Sequence, residues 1–167
     1  MKLSQYKAQS ARHILIYGPP KSGKTGAIGQ LAKKFRLHFV DLEDSIKTLL
    51  NPAILPAEFL DNIDLIRIPD KQTYPMGIET VLKILKGGTS VICHEHGKVT
   101  CPVCSKDPNA ITTSLNLAAF ENDKDILVIE SYSQLAESAM NYIMRDAIAK
   151  DNFDAKAGWD EYGKQGR

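Results

Sequence analysis

The chain has 167 residues, which suits one globular domain of ordinary size and is too short for two full domains. Its 43% hydrophobic and 25% charged residues exclude a disordered, collagen-like or fibrous chain. With 21 basic and 20 acidic residues, the chain as a whole has no net charge that would attract nucleic acid or an anionic membrane. The sequence has no long apolar run and no apolar leader segment, and we expect a soluble, cytoplasmic protein with no membrane contact.

The hydrophobic pattern predicts strands that alternate with helices. The predicted strands span residues 13–17, 37–42, 63–68 and 125–130, and the predicted helices span residues 24–35, 45–50, 76–85 and 133–150. This alternation predicts one α/β domain over residues 1–167, with a mostly parallel sheet covered by helices on both faces. Residues 88–113 show no periodicity, and a segment this long within a compact domain is expected to be an insertion with its own function.

Residues 18–25 read GPPKSGKT and match the pattern G-x-x-x-x-G-K-[ST] between a predicted strand and a predicted helix. In such a phosphate-binding loop (P-loop), glycines allow successive backbone N–H groups to face a polyphosphate. We expect Lys24 to reach the β- and γ-phosphates of ATP, and Thr25 to bind the Mg²⁺ that bridges them. The alternative is a Gly/Pro turn that matches by chance. The predicted nucleotide-binding residues are Gly18, Pro19, Pro20, Lys21, Ser22, Gly23, Lys24, Thr25 and Gly26.

Acidic residues follow two of the predicted strands, at the edge of the sheet where open α/β folds bind ligands. Asp41 and Glu43 follow the second strand, and we expect both carboxylates on the same face of an extended chain. Glu130 follows the last predicted strand, and Ser131 comes next. The alternative for Asp41 and Glu43 is a solvated strand end, with Glu43 and Asp44 as the acids that begin a helix.

Three segments together resemble the RecA-like P-loop ATPases: GPPKSGKT, FVDLED at residues 39–44 and ILVIESYSQL at residues 126–135. The likeness is strongest to small phage-encoded nucleotide-binding proteins associated with DNA recombination and annealing. It implies that Glu43 polarises the water that attacks the γ-phosphate, with Lys24 assisting, and that Glu130 is the Walker B acid beside Mg²⁺. Because the family usually has Asp at the position of Glu130, a share of the catalytic role for Glu130 stays open.

The resemblance also implies a Mg²⁺-dependent ATPase that acts on single-stranded DNA as a homo-oligomer, in the host cytoplasm if phage-encoded. Single-strand-binding or other recombination proteins are the further partners that it suggests. A RecA-like core continues past its Walker B strand, so the resemblance implies that the 167 residues are C-terminally incomplete. One alternative is a P-loop small-molecule or nucleotide kinase in which Asp41 positions the acceptor hydroxyl. Another is a non-hydrolysing module in which nucleotide and zinc stabilise a protein interface.

All three cysteines lie between residues 93 and 104, in the pattern C-x₂-H followed by C-x₂-C. Three thiolates and one imidazole complete the closed tetrahedral shell that structural zinc prefers. The pattern therefore predicts a zinc-binding insertion over residues 88–113, in which the metal replaces a hydrophobic core. His94 is the alternative histidine ligand, and a redox-active cysteine pair or unrelated thiols are the alternatives to zinc. The predicted zinc ligands are Cys93, His96, Cys101 and Cys104.

Overall fold

The computed structural model describes residues 13–72 and 74–148. The strands, in chain order, are β1 (Arg36–Asp41), β2 (Ile63–Arg67), β3 (Thr89–Cys93), β4 (Thr112–Asn116) and β5 (Asp125–Glu130), and the α-helices are α1 (Lys24–Gly29), α2 (Met76–Leu85) and α3 (Tyr132–Ile148). Strands β1, β2 and β5 form a parallel sheet in the order β2-β1-β5, whereas β3 and β4 form a separate antiparallel hairpin. The predicted α/β class and parallel sheet are confirmed.

The central strand β1 is buried on both of its faces. Leu37 and Phe39 pack in a cluster with Leu49, on the face covered by α1 and the short 3₁₀ helix Ser45–Leu50. Val40 packs on the opposite face, in a second cluster with side chains from β2, α2 and the β3–β4 hairpin. Because successive side chains of a strand alternate between two buried faces, every residue of β1 after Arg36 is buried, including His38 and Asp41.

The predicted elements with strong local patterns occur near their predicted bounds. Helix α2 and strand β5 have the predicted limits, whereas β1 and β2 each differ by one residue at one or both ends. Helix α3 begins at Tyr132 and its described part ends at Ile148, so residues 149–150 of the prediction lie outside the described residues. The polar C-terminal tail also lies outside the described residues, so the expectation that the chain is incomplete stays a prediction. No helix in the described ranges combines the length and hydropathy needed to cross a membrane.

The predicted strand at residues 13–17 is wrong. The segment has no strand pairing, and its side chains are exposed, with Ile14 at 79% and Leu15 at 78%. An apolar run forms a strand only where a neighbouring strand accepts its hydrogen bonds. In the part of the chain that the structure describes, the sheet ends at β5, whose outer edge is unpaired. The P-loop is therefore followed by the expected helix, α1, but is not preceded by the expected strand.

Two predicted helices are shorter or tighter than expected. Helix α1 ends at Gly29, and the 3₁₀ turn Gln30–Lys33 replaces the remainder of the predicted helix. Gly29 packs so closely on Leu49 that a Cβ atom added to Gly29 would lie 2.4 Å from Leu49 Cδ2. Glycine is also a weak helix former, so the α-helix ends at this residue. The predicted helix at Ser45–Leu50 is also 3₁₀, because it is confined to a short segment before Pro52.

The segment predicted to lack regular structure contains the β3–β4 hairpin. Thr89 pairs with Asn116 and Cys93 pairs with Thr112, so the hairpin extends past residue 113. Only Ile92 and Leu115 are buried apolar side chains apart from the cysteine, and the other strand positions are Thr, Ser, Val or Asn. Such a weak alternation does not identify a strand from sequence.

Candidate functional site

The P-loop, residues 18–25, leads directly into α1. Gly23 precedes the helix with φ 86°, a conformation that favours glycine, and Lys21 also has a positive φ of 63°. The amide of Ala27 donates to the Gly23 carbonyl at 2.9 Å, so the first helical hydrogen bond begins within the loop. Pro19, Pro20, Lys21, Ser22 and Gly23 are exposed, whereas Gly18, Lys24, Thr25 and Gly26 are partly buried.

The Lys24 side chain folds back over the loop. Its Nζ atom donates to the Gly18 carbonyl at 3.1 Å and to the Pro19 carbonyl at 3.0 Å. The ammonium group therefore contacts the segment predicted to hold the phosphates, where anionic oxygens could replace these carbonyls as acceptors.

Thr25 joins the P-loop to the end of β5. Its hydroxyl donates to Oε1 of Glu130 at 2.9 Å, and Glu130 is 7% exposed. Burial raises the pKa of the Glu130 carboxyl, the Thr25 hydrogen bond opposes this shift, and the nearby Glu43 and Asp41 carboxylates add to it. Two oxygens that bind one Mg²⁺ at about 2.1 Å in octahedral geometry lie about 3 Å apart. Thr25 and Glu130 therefore fit a shared magnesium ion.

Glu43 lies beside Glu130 at the carboxyl edge of the sheet. The register pairs Asp41 of β1 with Glu130 of β5, so the residues that follow these two strands are neighbours. The Ser131 hydroxyl donates to the Glu43 carboxylate and accepts the Gln134 amide at 3.2 Å, which attaches Glu43 to the first turn of α3. The Glu43 side chain is otherwise exposed, as a group that contacts substrate needs to be.

The expectation that Asp41 and Glu43 share one face of an extended chain is wrong. Strand β1 ends at Asp41, and the chain then bends through Asp44, whose φ is 57°. Asp41 is 1% exposed, and its carboxylate accepts the amides of Glu43 at 3.1 Å, Ser45 at 3.1 Å and Ile46 at 3.2 Å. Asp41 therefore holds the turn that carries Glu43. The alternative interpretation, a solvated strand end with Glu43 and Asp44 as helix-start acids, is wrong for Asp41, because Asp41 is buried and itself accepts the first amides of the following helix.

A cavity of about 550 Å³ opens beside Glu43. Its lining includes Arg67 at the end of β2, Asp70 and Gln134 on α3, none of which was a predicted site residue. Arg67 Nε lies 3.5 Å from Oδ1 of Asp44, so an ion pair connects the end of β2 to the turn after Glu43. No local sequence pattern marks Arg67 or Gln134, because only the strand order brings them together.

The structure brings Cys93, His96, Cys101 and Cys104 together. Their potential ligand atoms all lie within 4.8 Å of one another, and the three cysteines are buried free thiols. His96 Nδ1 lies 3.2 Å from the Cys104 sulfur and 3.8 Å from the Cys101 sulfur. This cluster could hold zinc, because three sulfurs and one ring nitrogen at such separations can surround one tetrahedral ion.

His94 lies outside the cluster. Its Nε2 atom is 2.8 Å from the hydroxyl of Thr113 on β4, and burial lowers the pKa of its ring. Between the two histidines in question, the geometry therefore favours His96 as the ligand. The Cys/His module, defined here as residues 88–116, also contains two tight turns, with the Gly97 amide donating to the Cys93 carbonyl at 2.9 Å.

The cluster thiols differ in acidity. Hydrogen bonds from the backbone amides of Cys104 and Val103 lower the pKa of Cys101 to about 7 against the opposing effect of burial. Burial and the neighbouring thiols raise the pKa of Cys104 to about 12. Three neighbouring thiols cannot all lose their protons unless a positive charge compensates the three thiolates. A bound divalent cation supplies that charge.

The P-loop, the Thr25–Glu130 contact and the parallel sheet define the class of the protein: a P-loop nucleotide-binding protein of the α/β type. A family model described as an AAA domain matches residues 10–167, and the chain belongs to this AAA domain family. No curated protein and no solved structure gives a significant match. Family membership supports nucleotide binding at the P-loop and an enzyme of the ATPase type.

Proposed function

We propose that the chain is a Mg²⁺-dependent ATPase of the RecA-like type that acts on single-stranded DNA in recombination, annealing or repair. The observation that carries the hydrolytic part is the pair of contacts that join Thr25 to Glu130 and Ser131 to Glu43 at one sheet edge. The RecA-like type, the DNA, a homo-oligomer, recombination partners, a phage origin and a cytoplasmic location rest on the resemblance of the three motifs.

In the proposed reaction, water attacks the γ-phosphorus of ATP, the bond to the β–γ bridging oxygen breaks, and ADP and phosphate leave. Lys24 exchanges the two loop carbonyls for phosphate oxygens and binds the developing charge. Mg²⁺ held by Thr25 and Glu130 would neutralise phosphate charge. Glu43 orients the attacking water and accepts its proton, while the Ser131 hydroxyl fixes the carboxylate.

The kinase alternative has less structural support. It required Asp41 to position an acceptor hydroxyl, but the Asp41 carboxylate is buried and already accepts several hydrogen bonds from the following turn. The exposed Glu43 is better placed to orient a small nucleophile such as water.

We also propose that Cys93, His96, Cys101 and Cys104 bind one structural zinc ion. The cluster offers four ligands, which fills a tetrahedral shell and leaves no position for a reacting water. The metal would hold together a module whose own apolar side chains are few.

The test is phosphate release from Mg²⁺-ATP, measured against the concentration of single-stranded DNA. We expect ATP turnover that rises with DNA in the wild type and in Lys34→Ala, an exposed lysine outside the P-loop, and no turnover in Lys24→Ala. Turnover that does not respond to DNA, with phosphate transferred to an added nucleoside or nucleotide, would support the kinase. Tight ATP binding with no turnover would support the non-hydrolysing module.

A further inference from the structure

The Cys/His module packs directly against the sheet that carries the proposed ATPase site. Ile92 of β3 and Leu115 of β4 lie in the same buried cluster as Ile66 of β2 and Ile68, which follows that strand. A second connection links His94 to Thr113, whose hydroxyl donates to the Leu65 carbonyl of β2 at 3.2 Å. The module therefore contacts β2 at several points along its length.

Gly97 is the closest of these contacts. It follows the ligand His96 and has φ 63°, and a Cβ atom at this position would lie 2.7 Å from Ile68 Cγ2 and 3.1 Å from Pro69 Cδ. Its carbonyl accepts the hydroxyl of Thr80, a fully buried residue of α2. The turn from Cys93 to Gly97 is thus fixed between α2 and the segment that follows β2.

The segment that follows β2 also forms one wall of the cavity beside Glu43. Ile68, Pro69 and Asp70 line the cavity, and the adjacent Arg67 pairs with Asp44 on the turn that carries Glu43. A displacement of the Gly97 turn would therefore shift this wall and the ion pair. The P-loop contacts β5, at the opposite edge of the sheet from β2.

We propose that metal binding at Cys93, His96, Cys101 and Cys104 positions the Arg67–Asp70 segment and thereby sets the rate of hydrolysis at Glu43, with little effect on nucleotide binding. This inference rests on the proposed ATPase and adds a regulatory role to the metal cluster. Gly97 and Thr80 are positioning residues in it, because they act through the segment that they contact.

The first test compares Thr80→Val with Thr80→Ser in the full chain. Valine lacks the hydroxyl that donates a hydrogen bond to the Gly97 carbonyl, whereas serine keeps this hydroxyl. We expect Thr80→Val to retain bound zinc and the wild-type Kd for ATP within about twofold but to lose about tenfold in kcat, since small misplacements of a catalytic group slow the chemical step. Thr80→Ser should restore kcat. A Thr80→Val protein with wild-type kcat, or an equal loss in Thr80→Ser, would overturn the proposal.

The second test does not depend on hydrolysis. Amide hydrogen exchange is measured on the full chain with bound zinc and after zinc removal by a chelator. We expect faster exchange on zinc removal at residues 66–70 and 42–46 as well as within the module, and unchanged exchange at residues 18–25. Faster exchange confined to the module contradicts the inference even if the protein is an active ATPase. Exchange that spreads to residues 66–70 in a protein without ATPase activity supports the coupling and contradicts the proposed function.

Discussion

Lys24 donates to two carbonyl groups of its own loop, and bound ATP would offer phosphate oxygens in their place. We predict that Lys24→Ala abolishes measurable ATP binding, because the loop then lacks the cation that offsets the phosphate charge. Titration with a fluorescent ATP analogue measures the effect, and Lys34→Ala is the control for the loss of one exposed lysine. Retained tight binding in Lys24→Ala would contradict the P-loop assignment.

Asp41 and Glu43 have different roles although only one residue separates them. Asp41 accepts three backbone amides of the turn after β1, whereas Glu43 is exposed at the sheet edge. Sequence alone could not separate them, because the difference depends on the bend at Asp44. The prediction of carboxylates at this edge needed only the strand pattern and the rule that ligands bind there.

We predict that Asp41→Asn lowers the free energy of unfolding by about 1–3 kcal/mol, because an amide side chain cannot accept all of these hydrogen bonds. It should also slow ATP hydrolysis by disturbing Glu43 while leaving the Kd for ATP near the wild-type value. Urea denaturation and steady-state kinetics measure the two effects. Asp61→Asn, at an exposed position of the 3₁₀ helix Ala57–Asn62, is the matched control, and equal stability of the two variants would contradict the structural role of Asp41.

At the scale of elements, the proposed zinc ion makes a prediction for the whole Cys/His module. We predict about one zinc per chain in protein purified without chelators, and loss of module structure when the zinc is removed. Cys104→Ser should lose most of the zinc, whereas the adjacent exposed Ser105→Ala should keep it. Elemental analysis measures the zinc content, and less than about half an equivalent in the wild type would contradict the assignment.

The start of β5 is fixed by Asp125. Its carboxylate accepts Arg36 Nε at 2.6 Å, Arg36 Nη2 at 2.8 Å and the Glu121 amide at 2.8 Å, and His38 Nε2 lies 2.9 Å away. The Arg36 hydrogen bonds, with the other donors, hold the pKa of Asp125 well below its usual range against the effect of burial. Two further acids lie at this site: Asp64, 3.1 Å from His38 Nδ1, and Glu121, whose Oε1 is 4.0 Å from Arg36 Nη2.

A carboxyl whose pKa is lowered by folding stabilises the fold above its unfolded pKa of about 3.9 and loses this contribution as the pH falls. We predict that Asp125→Asn is less stable than the wild type by about 1–3 kcal/mol at pH 7, and that the difference shrinks below about pH 4. Urea unfolding at several pH values measures this. A difference that stays constant down to pH 3 would contradict the role of the ionised carboxylate.

At the scale of the whole molecule, the sequence predicted what local pattern and one strong motif determine. Helix α2 and strand β5 have clear periodicity or a continuous apolar run, and their bounds were predicted correctly. Residues 13–17 have the same kind of apolar run, but a strand also needs a partner, and the described residues provide none at the edge of β5. Strands β3 and β4 were missed for the opposite reason, because pairing forms them from weakly apolar sequences.

The composition of the candidate site shows the same limit. The P-loop and the cysteine spacing were visible because their residues are close in sequence. Contacts between distant segments, such as Arg67 with Asp44 or Thr80 with Gly97, depend on strand order and on the packing of the module. No single-sequence pattern encodes such contacts, since each residue alone is an ordinary surface or helix position.

The measurement that tests the central claim most directly is ATP hydrolysis by Glu43→Gln, together with its Kd for ATP. The account predicts a fall in kcat of about 100-fold or more with the Kd changed by less than about threefold, because Glu43 orients the attacking water and does not hold the nucleotide. Glu58→Gln, an exposed glutamate away from the sheet edge, should behave as the wild type. Hydrolysis by Glu43→Gln at the wild-type rate would contradict the account.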